Sequence, residues 1–428
     1  MLVKHATQLP KHSFKRVAQT TMHTVSEKSE ALLASLKAFM AEFIFPNELA
    51  YRHGLASAEN RFAPLPLMDD LKRKARDQGL WNLFVPPDHA EFSEQGGLSF
   101  LEYAPLAEEM GRVIWSAEVF NCNAPDTGNM EVFMNFGTEA QKAEWLVPLL
   151  AGEIRSSYAM TEPQVASSDA TNVQLSIRKD GDSWVLNGRK WFITGALYER
   201  CKILIVMGKS DPENSSRHLQ QSQILVPKNT PGVNIIRPLT TLGYDDAPLG
   251  HAEIVFDDVR VPLDNVLAGE GRGFEIAQTR LAPGRMHHCM RLIGAGQQAL
   301  ENACQRVTDR QTFGRPLSKH QSIRENISKC FSEIEMARLL VQKTCWTIDN
   351  QGVKASIPMI ASTKTTVPLV IQTVIDRCMQ MHGAGGLTED WSMAENFNYA
   401  RWCRQADVPD EVHQMALGKQ IIERFSNQ

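Results

Sequence analysis

A chain of 428 residues with 43% hydrophobic side chains, 22% charged side chains and a formal net charge of −4 is long enough for two or three domains around a large core. It lacks the basic surplus that nucleic-acid binding asks for, and no apolar run is long enough to read as a membrane span. Its eight cysteines lie in apolar or helical stretches without a C-x-x-C pair, which predicts no metal site and no disulfide framework and fits a reducing compartment.

Residues 1–26 carry Lys4, Lys11, Lys15 and Arg16 and no acid, and read as a disordered or extended tail. The alternative is a transit peptide, which would send a eukaryotic protein to the mitochondrial matrix or peroxisome; a bacterial one is expected in the cytoplasm. Residues 27–156 read as a helical domain, with Leu32, Leu33, Leu36, Phe39, Met40 and Phe43 forming one stripe. The polar stretch from Asn121 to Met130 breaks this pattern, either as a pocket wall or as a connection.

Residues 157–267 change period. Alternation over 173–177, a turn at Lys179-Asp-Gly-Asp182, an answering run at 184–186 and a second turn at Asn187-Gly188 predict hairpins. Further strands are expected at 203–206, 223–226, 233–236 and 252–256, giving an antiparallel β domain. From 268 to 428 helical periodicity returns, with Ile327, Cys330, Phe331, Ile334, Leu340 and Val341 spaced as in a bundle helix. The predicted class is α+β: an N-terminal helical domain, a central β domain and a C-terminal four-helix bundle.

Near the end, Arg401-Trp-Cys-Arg-Gln-Ala-Asp-Val-Pro-Asp-Glu-Val-His413 places Asp407 in a Pro-interrupted loop between two amphipathic segments. Such a loop can present a carboxylate to a pocket. Equally, Asp407, Asp410 and Glu411 can open the next helix, where acids suit the positive end of its dipole.

Five separated motifs bear on that choice: Tyr158-Ala-Met-Thr-Glu-Pro with Ser168-Asp169, Lys190-Trp-Phe-Ile-Thr-Gly195, Phe256-Asp-Asp-Val-Arg-Val-Pro262, Arg310-Gln-Thr-Phe-Gly-Arg-Pro-Leu317 with Gln321, and Gln380-Met-His-Gly-Ala-Gly-Gly386. Together, and in this order, they resemble the acyl-CoA dehydrogenase family from about residue 30 to the end. The resemblance implies an FAD flavoprotein in which a carboxylate removes the α proton of an acyl-CoA thioester while the β hydrogen passes to the flavin. It implies flavin contacts from Tyr158, Met160, Thr161, Ser168, Phe192 and Thr194. Phe192 stands where the family usually has Trp, and the loop before Ser168 is one residue longer than the common pattern. Arg310, Thr312, Phe313 and Gln321 would reach the FAD of a neighbouring subunit, with Gln380 and Gly383 at its adenosine end, so a homodimer or tetramer is implied. Asp407 matches the family's catalytic glutamate, one methylene shorter. The position from which some branches supply that glutamate is Gly284, just before the matched Arg285.

The segment Gly284-Arg-Met-His-His-Cys-Met-Arg291 places Arg285 with His288, and His287 with Arg291, on shared helix faces, as candidate cationic substrate-binding groups or as core residues. The chain is similar to a branch whose animal members also carry an aminoglycoside-phosphotransferase-like kinase domain and which is associated with 4-hydroxy acid breakdown. Two activities follow from the resemblance. One is oxidation of an acyl-CoA to a trans-2-enoyl-CoA in fatty or short-chain acid catabolism, with an electron-transfer flavoprotein as acceptor. The other is redox-neutral loss of phosphate from a 4-phosphoacyl-CoA supplied by a separate acyl kinase. A flavin-binding assembly protein without catalysis is the third expectation.

Overall fold

The computed structural model describes residues 25–426. All but the last two residues of the expected tail lie outside the described residues. Ser26 caps the first helix, Glu27–Phe39 (α1), its hydroxyl accepting the Ser29 N–H at 3.2 Å. Leu36 and Phe39 bury into a core shared with Phe100–Met110 (α2) and Asp126–Phe136 (α3). α2 opens with a capping box, Ser99 and Glu102 bonding each other's backbone N–H.

The expected stretch 121–130 is thus the entry to α3, and its polarity has a structural use. Asp126 Oδ2 meets Arg155 Nε at 2.7 Å, and Lys72 meets Glu118 at 2.7 Å with Arg155 3.8 Å from the same carboxylate. All four side chains are buried. Burial on this scale demands pairing, so the cluster ties the helical domain to the first strand in one arrangement.

The central domain is a seven-stranded sheet: Arg155–Ala159 (β1), Ser176–Asp180 (β2), Ser183–Thr194 (β3), Cys201–Lys209 (β4), Gln221–Pro227 (β5), Val233–Leu239 (β6) and His251–Pro262 (β7). Its β2-β3-β7-β6 path and its β4-β5 pair are antiparallel. It departs from the expected uniform pattern at β4, against which β1 and the start of β2 run parallel. The turn expected at Asn187-Gly188 is instead a bulge inside the long β3, where the register with β7 shifts between Leu186 and Gly188. A Cβ at Gly188 would come within 2.9 Å of Leu175, so glycine here allows close approach rather than chain reversal.

The C-terminal region begins with Gly273–Asp309 (α4). The following helical stretch, Gln321–His382, is not one rod: Gly352 has φ 79 and ψ 163, and the chain doubles back there. The bond between Thr344 and Thr363 hydroxyls at 2.7 Å and the Arg377–Glu333 pair fix the antiparallel register of its halves, 321–351 and 353–382. Met393–Cys403 (α5) and Asp410–Ser426 (α6) complete the helices. Among the described residues no helix is long and apolar enough to cross a membrane.

Candidate active site

Asp407 lies in the connection between α5 and α6, which opens the two readings of this loop to a structural answer. Asp410 and Glu411 form the first turn of α6, whereas Asp407 stands outside it. Asp407 and Val408 have φ 53 and 84, an uncommon conformation for any side chain and a strained one for valine. The surroundings hold it. Arg404 pairs with Asp410 at 2.7 Å across the loop, Arg285 Nε donates to the Asp407 carbonyl at 3.1 Å, and His413 Nε2 lies 3.3 Å from that same oxygen.

With its backbone pinned, the Asp407 carboxylate is only 18% exposed and sits 3.9 Å from His288 Nε2. A Cβ at Gly284 would lie 3.6 Å from Asp407 Oδ2, so the two sequence positions from which a carboxylate could come converge on one place. Burial raises the Asp407 pKa, but His288, Arg280, Lys364 and Arg285 lower it by more, and the net shift is downward. His288 is itself neutral at neutral pH, so the lasting opposition to burial comes from the two arginines and Lys364.

The cationic segment expected at 284–291 is only partly cationic. Burial, reinforced by Arg291, pushes His287 and His288 down to about 3. His288 Nδ1 lies 2.9 Å from the Tyr399 hydroxyl, and Arg291 stands behind it, buried, with Nη1 3.4 Å from the Cys122 carbonyl. Arg285 faces Asp407 and His287 faces a cavity.

That cavity, of about 650 Å³, lies between α2, α3, the first half of α4 and the Gly352 turn. Phe84, Leu98, Phe100, Tyr103, Phe136 and Phe274 wall it, with Glu131, Arg280 and His287 among its polar groups. Burial pushes the Glu131 carboxyl up to about 8 against the pull of Arg280, so it is mostly protonated at neutral pH. Arg280 reaches both regions: it lines the cavity, lowers the Asp407 pKa, donates to Asn129 at 2.9 Å and stacks 4.1 Å over the Tyr158 ring.

The motifs matched to flavin contacts are bound to each other. Buried Lys190 donates to the Met160 carbonyl at 2.7 Å and pairs with Glu162 at 2.8 Å, and the Trp191 N–H donates to the Thr161 carbonyl at 3.0 Å. Glu162 also accepts the N–H groups of Gln174 and Leu175, which uses up the backbone expected to start β2 and delays that strand to Ser176. Tyr158 accepts from Gln223 at 2.7 Å. Ser167 is committed to the Glu162 N–H, leaving Ser168 exposed at the loop surface. Phe192, at φ 52, leaves 41% of its side chain bare beside the half-buried Thr194 hydroxyl. A bare aromatic face next to a hydroxyl and a set of pinned backbone groups fits an isoalloxazine ring, which needs an apolar wall and hydrogen bonds at its polar edge.

Arg310, Thr312, Phe313, Gln321, Gln380 and Gly383 are brought together elsewhere. Because 321–351 and 353–382 form a hairpin, their outer ends coincide, and the short turn through Arg310–Phe313 joins them there. Arg310 is about 33 Å along α4 from His288 at 1.5 Å per residue. Arg310, Gln321, Gln380 and Gly383 are exposed, and Phe313 is 93% exposed with φ 48.

Arg280, Glu131 and Lys364 escaped the sequence reading. Glu131 was visible as the lone acid in Met130-Glu-Val-Phe-Met134, and Lys364 as the lone cation in the run from Ile360 to Val367. Lys364 is buried and donates to the Cys403 carbonyl. Arg280 carries no such signal, since Arg285 satisfies the motif five residues later.

A shielded carboxylate facing a wall of α4, an adjoining aromatic-walled cavity and a bare ring face describe a flavoenzyme acting at a C–H bond. Comparison with known proteins agrees. The acyl-CoA dehydrogenase N-terminal, middle and C-terminal domain profiles match residues 26–153, 157–259 and 271–422. Acyl-CoA dehydrogenase family member 10 of Mus musculus is 47% identical over 422 residues, 98% of this chain but 39% of that protein. FadE2 of Mycobacterium tuberculosis, named as a probable acyl-CoA dehydrogenase, is 46% identical over 94% of this chain and 97% of its own. A solved Mycobacterium abscessus structure, named as a candidate acyl-CoA dehydrogenase, superposes with TM-score 0.90 at 44% identity, covering 94% of this chain and all of that one. The chain spans half or less of the length of the mouse protein and of several other relatives it matches. The chain belongs to the acyl-CoA dehydrogenase family, FAD-dependent oxidoreductases that act on CH–CH bonds of CoA thioesters.

Proposed function

We propose that the chain oxidises an acyl-CoA to a trans-2-enoyl-CoA, with Asp407 as the base that takes the α proton. The observation that carries this reading is the placement of Asp407: an ionised, shielded carboxylate on a loop pinned through its carbonyl, with Gly284 leaving the facing helix surface open. FAD, when bound, supplies the two-electron acceptor for the β hydrogen. A thioester covering the carboxylate deepens its burial and raises its pKa toward that of a useful base. Among the described residues the Asp407 N–H has no acceptor, which leaves it available to polarise the thioester carbonyl. The acyl chain then runs into the aromatic-walled cavity.

Distance supports cofactor sharing between two copies of the chain. The Arg310 set lies too far along the bundle to meet a flavin seated beside Thr194 and Asp407 in the same chain, so it serves a neighbour's. The exposed apolar residues Phe331, Leu339 and Trp346, spaced by eight and seven positions along 321–351, supply a surface for that assembly. An electron-transfer flavoprotein is the expected reoxidant.

A second reading has its own support. Arg280, Arg285 and Lys364 all act on one carboxylate, an excess of positive charge suited to an anionic leaving group. That excess favours redox-neutral loss of phosphate from a 4-phosphoacyl-CoA, with a kinase encoded elsewhere or on a longer form of the chain. The two separate cleanly. Reduction of an external acceptor by unsubstituted acyl-CoA supports dehydrogenation, whereas phosphate release from the 4-phospho thioester without any acceptor overturns it in favour of elimination.

A further inference from the structure

Thr194 ends β3 and pairs in register with His251, the first residue of β7. Its Oγ1 lies 2.9 Å from His251 Nδ1, and His251 Nε2 lies 2.7 Å from Asp246 Oδ2. The imidazole is 5% exposed and is flanked by Phe192 and Trp402, their ring centroids 6.0 and 6.1 Å away. Asp246 reaches it from the loop before β7, at φ 50, with the Gly250 N–H donating to its carbonyl at 2.8 Å. A chain of two hydrogen bonds therefore runs from a partly shielded carboxylate to the Thr194 hydroxyl beside the bare Phe192 face.

Proton counting gives this chain a direction. An ionised carboxylate only accepts, so the hydrogen between Asp246 and His251 belongs to Nε2. If the imidazole is neutral, Nδ1 is a lone pair. The Thr194 hydroxyl must then donate to it, and only oxygen lone pairs remain toward the site. A second proton on the imidazole reverses this: Nδ1–H donates to Oγ1, and the hydroxyl hydrogen turns toward the site. Thr194 is thus an acceptor with His251 neutral and a donor with His251 charged. Were the flavin contact of Thr194 at N5, the two would be complementary, since N5 accepts a hydrogen bond when oxidised and donates one when reduced.

Resting on the reading of Thr194 as a flavin contact, we infer that His251 and Asp246 are positioning residues that set the direction of the Thr194 hydroxyl and so couple the redox state of the FAD to a proton on His251. The oxidised cofactor favours a charged His251 and the reduced cofactor a neutral one. Reduction therefore favours release of a proton from His251, and about one proton fewer is taken up from solution per two electrons wherever that release occurs. The other groups facing the dyad are the Thr241 hydroxyl, 3.4 Å from Asp246 Oδ2, the Tyr244 phenol, and Glu395, which is held by Arg52 at 3.6 Å and feels Asp246 electrostatically.

The test is a potentiometric titration of the FAD holoprotein across neutral pH. The wild type should show a break in the slope of potential against pH, reaching a flatter segment, over and above the flattening that ionisation of the reduced flavin gives on its own. His251→Gln, whose amide does not titrate, should lose that added break and keep only the flavin's own, and Glu395→Gln should keep both. Asp246→Asn removes the charge that favours imidazolium and should move the break to lower pH; it also serves if His251→Gln does not fold. An added break that survives His251→Gln, or fails to move in Asp246→Asn, overturns the inference, as does its absence from the wild type. Thr194→Val separates the underlying reading. A shifted potential in that variant alongside an unchanged His251→Gln profile sinks the relay alone, while no shift at all sinks Thr194 as a flavin contact.

Discussion

The two ends of the C-terminal bundle are built on opposite principles. At the end near the Gly352 turn, α4 and the loop at Asp407 enclose their polar groups: Arg285, His288, Lys364 and Asp407 are all buried or nearly so and all engaged with one another. At the other end Arg310, Phe313, Gln321 and Gln380 project outward, and Phe313 is almost wholly exposed. Phe313, 93% exposed and three residues from the exposed Arg310, leaves apolar surface that an assembly can cover. The closed end can hold a reacting bond by itself, whereas the open end, in the proposed assembly, is half of a site.

The largest effect that sharpens this contrast is at the closed end. Asp407→Asn keeps the shape and removes the base, so exchange of the substrate α hydrogen with deuterated solvent should fall by about 100- to 10,000-fold while FAD content stays normal. Exchange within a few-fold of wild type would remove Asp407 from the mechanism.

Next is the open end. Arg310→Ala should lower FAD content and weaken the assembly together, as read by the absorbance ratio and by sedimentation. Co-expression with Asp407→Asn chains makes the sharing explicit. In a mixed dimer one of the two sites receives both an intact Asp407 and an intact Arg310, and activity should rise above that of either parent. Failure of mixed assemblies to recover activity would place the Arg310 set and Asp407 in the same site after all.

How much of this was legible beforehand differs between the two ends. The order of helical, β and helical parts followed from hydrophobic period, because period records which face is buried. The open-end residues could be picked out because they belong to one contiguous motif and one helix terminus, and the resemblance alone gives them a role. At the closed end Asp407 could be singled out, but Arg280, Glu131 and Lys364 could not. Their roles arise from packing between α3, α4 and the 353–382 helix, which no local spacing encodes. The histidines at 287 and 288 show the same limit: sequence gives two groups able to carry charge, and burial takes the charge away.

That loss of charge has a measurable consequence. His287 and His288, near 3, and His413, near 4, lie below the ordinary 6.5 chiefly because burial disfavours the imidazolium. Their folded pKa values are depressed, so their contribution to stability is present above about 6.5 and is lost as the pH falls toward 4 and then 3. The slope is about 1.4 kcal/mol per pH unit for each group. Glu131 has the opposite sign. Raised from 4.5 to about 8, it contributes fully below 4.5 and loses that contribution as the pH rises to 8. Glu131→Gln, neutral at every pH, should therefore gain on the wild type as pH rises from 5 to 8 in urea-unfolding midpoints of the FAD-loaded protein. Parallel midpoint curves for the two proteins would show that Glu131 is charged in the folded state.

The smallest expected effect falls at Gly284. A methyl there meets nothing closer than Asp407 Oδ2 at 3.6 Å, an ordinary contact, and replacing a helical glycine by alanine stabilises by about 1 kcal/mol. Gly284→Ala should accordingly raise the unfolding midpoint while costing no more than a few-fold in α-proton exchange, since the methyl only crowds one side of the carboxylate. Gly284→Glu is a different experiment at the same position. Combined with Asp407→Asn it sends a longer carboxylate from α4 toward the place the loop has vacated, and recovery of part of the lost exchange would show that the closed end is specified by where the carboxylate stands rather than by which element supplies it. No recovery, with the double variant folded and yellow, would tie the chemistry to the strained loop itself.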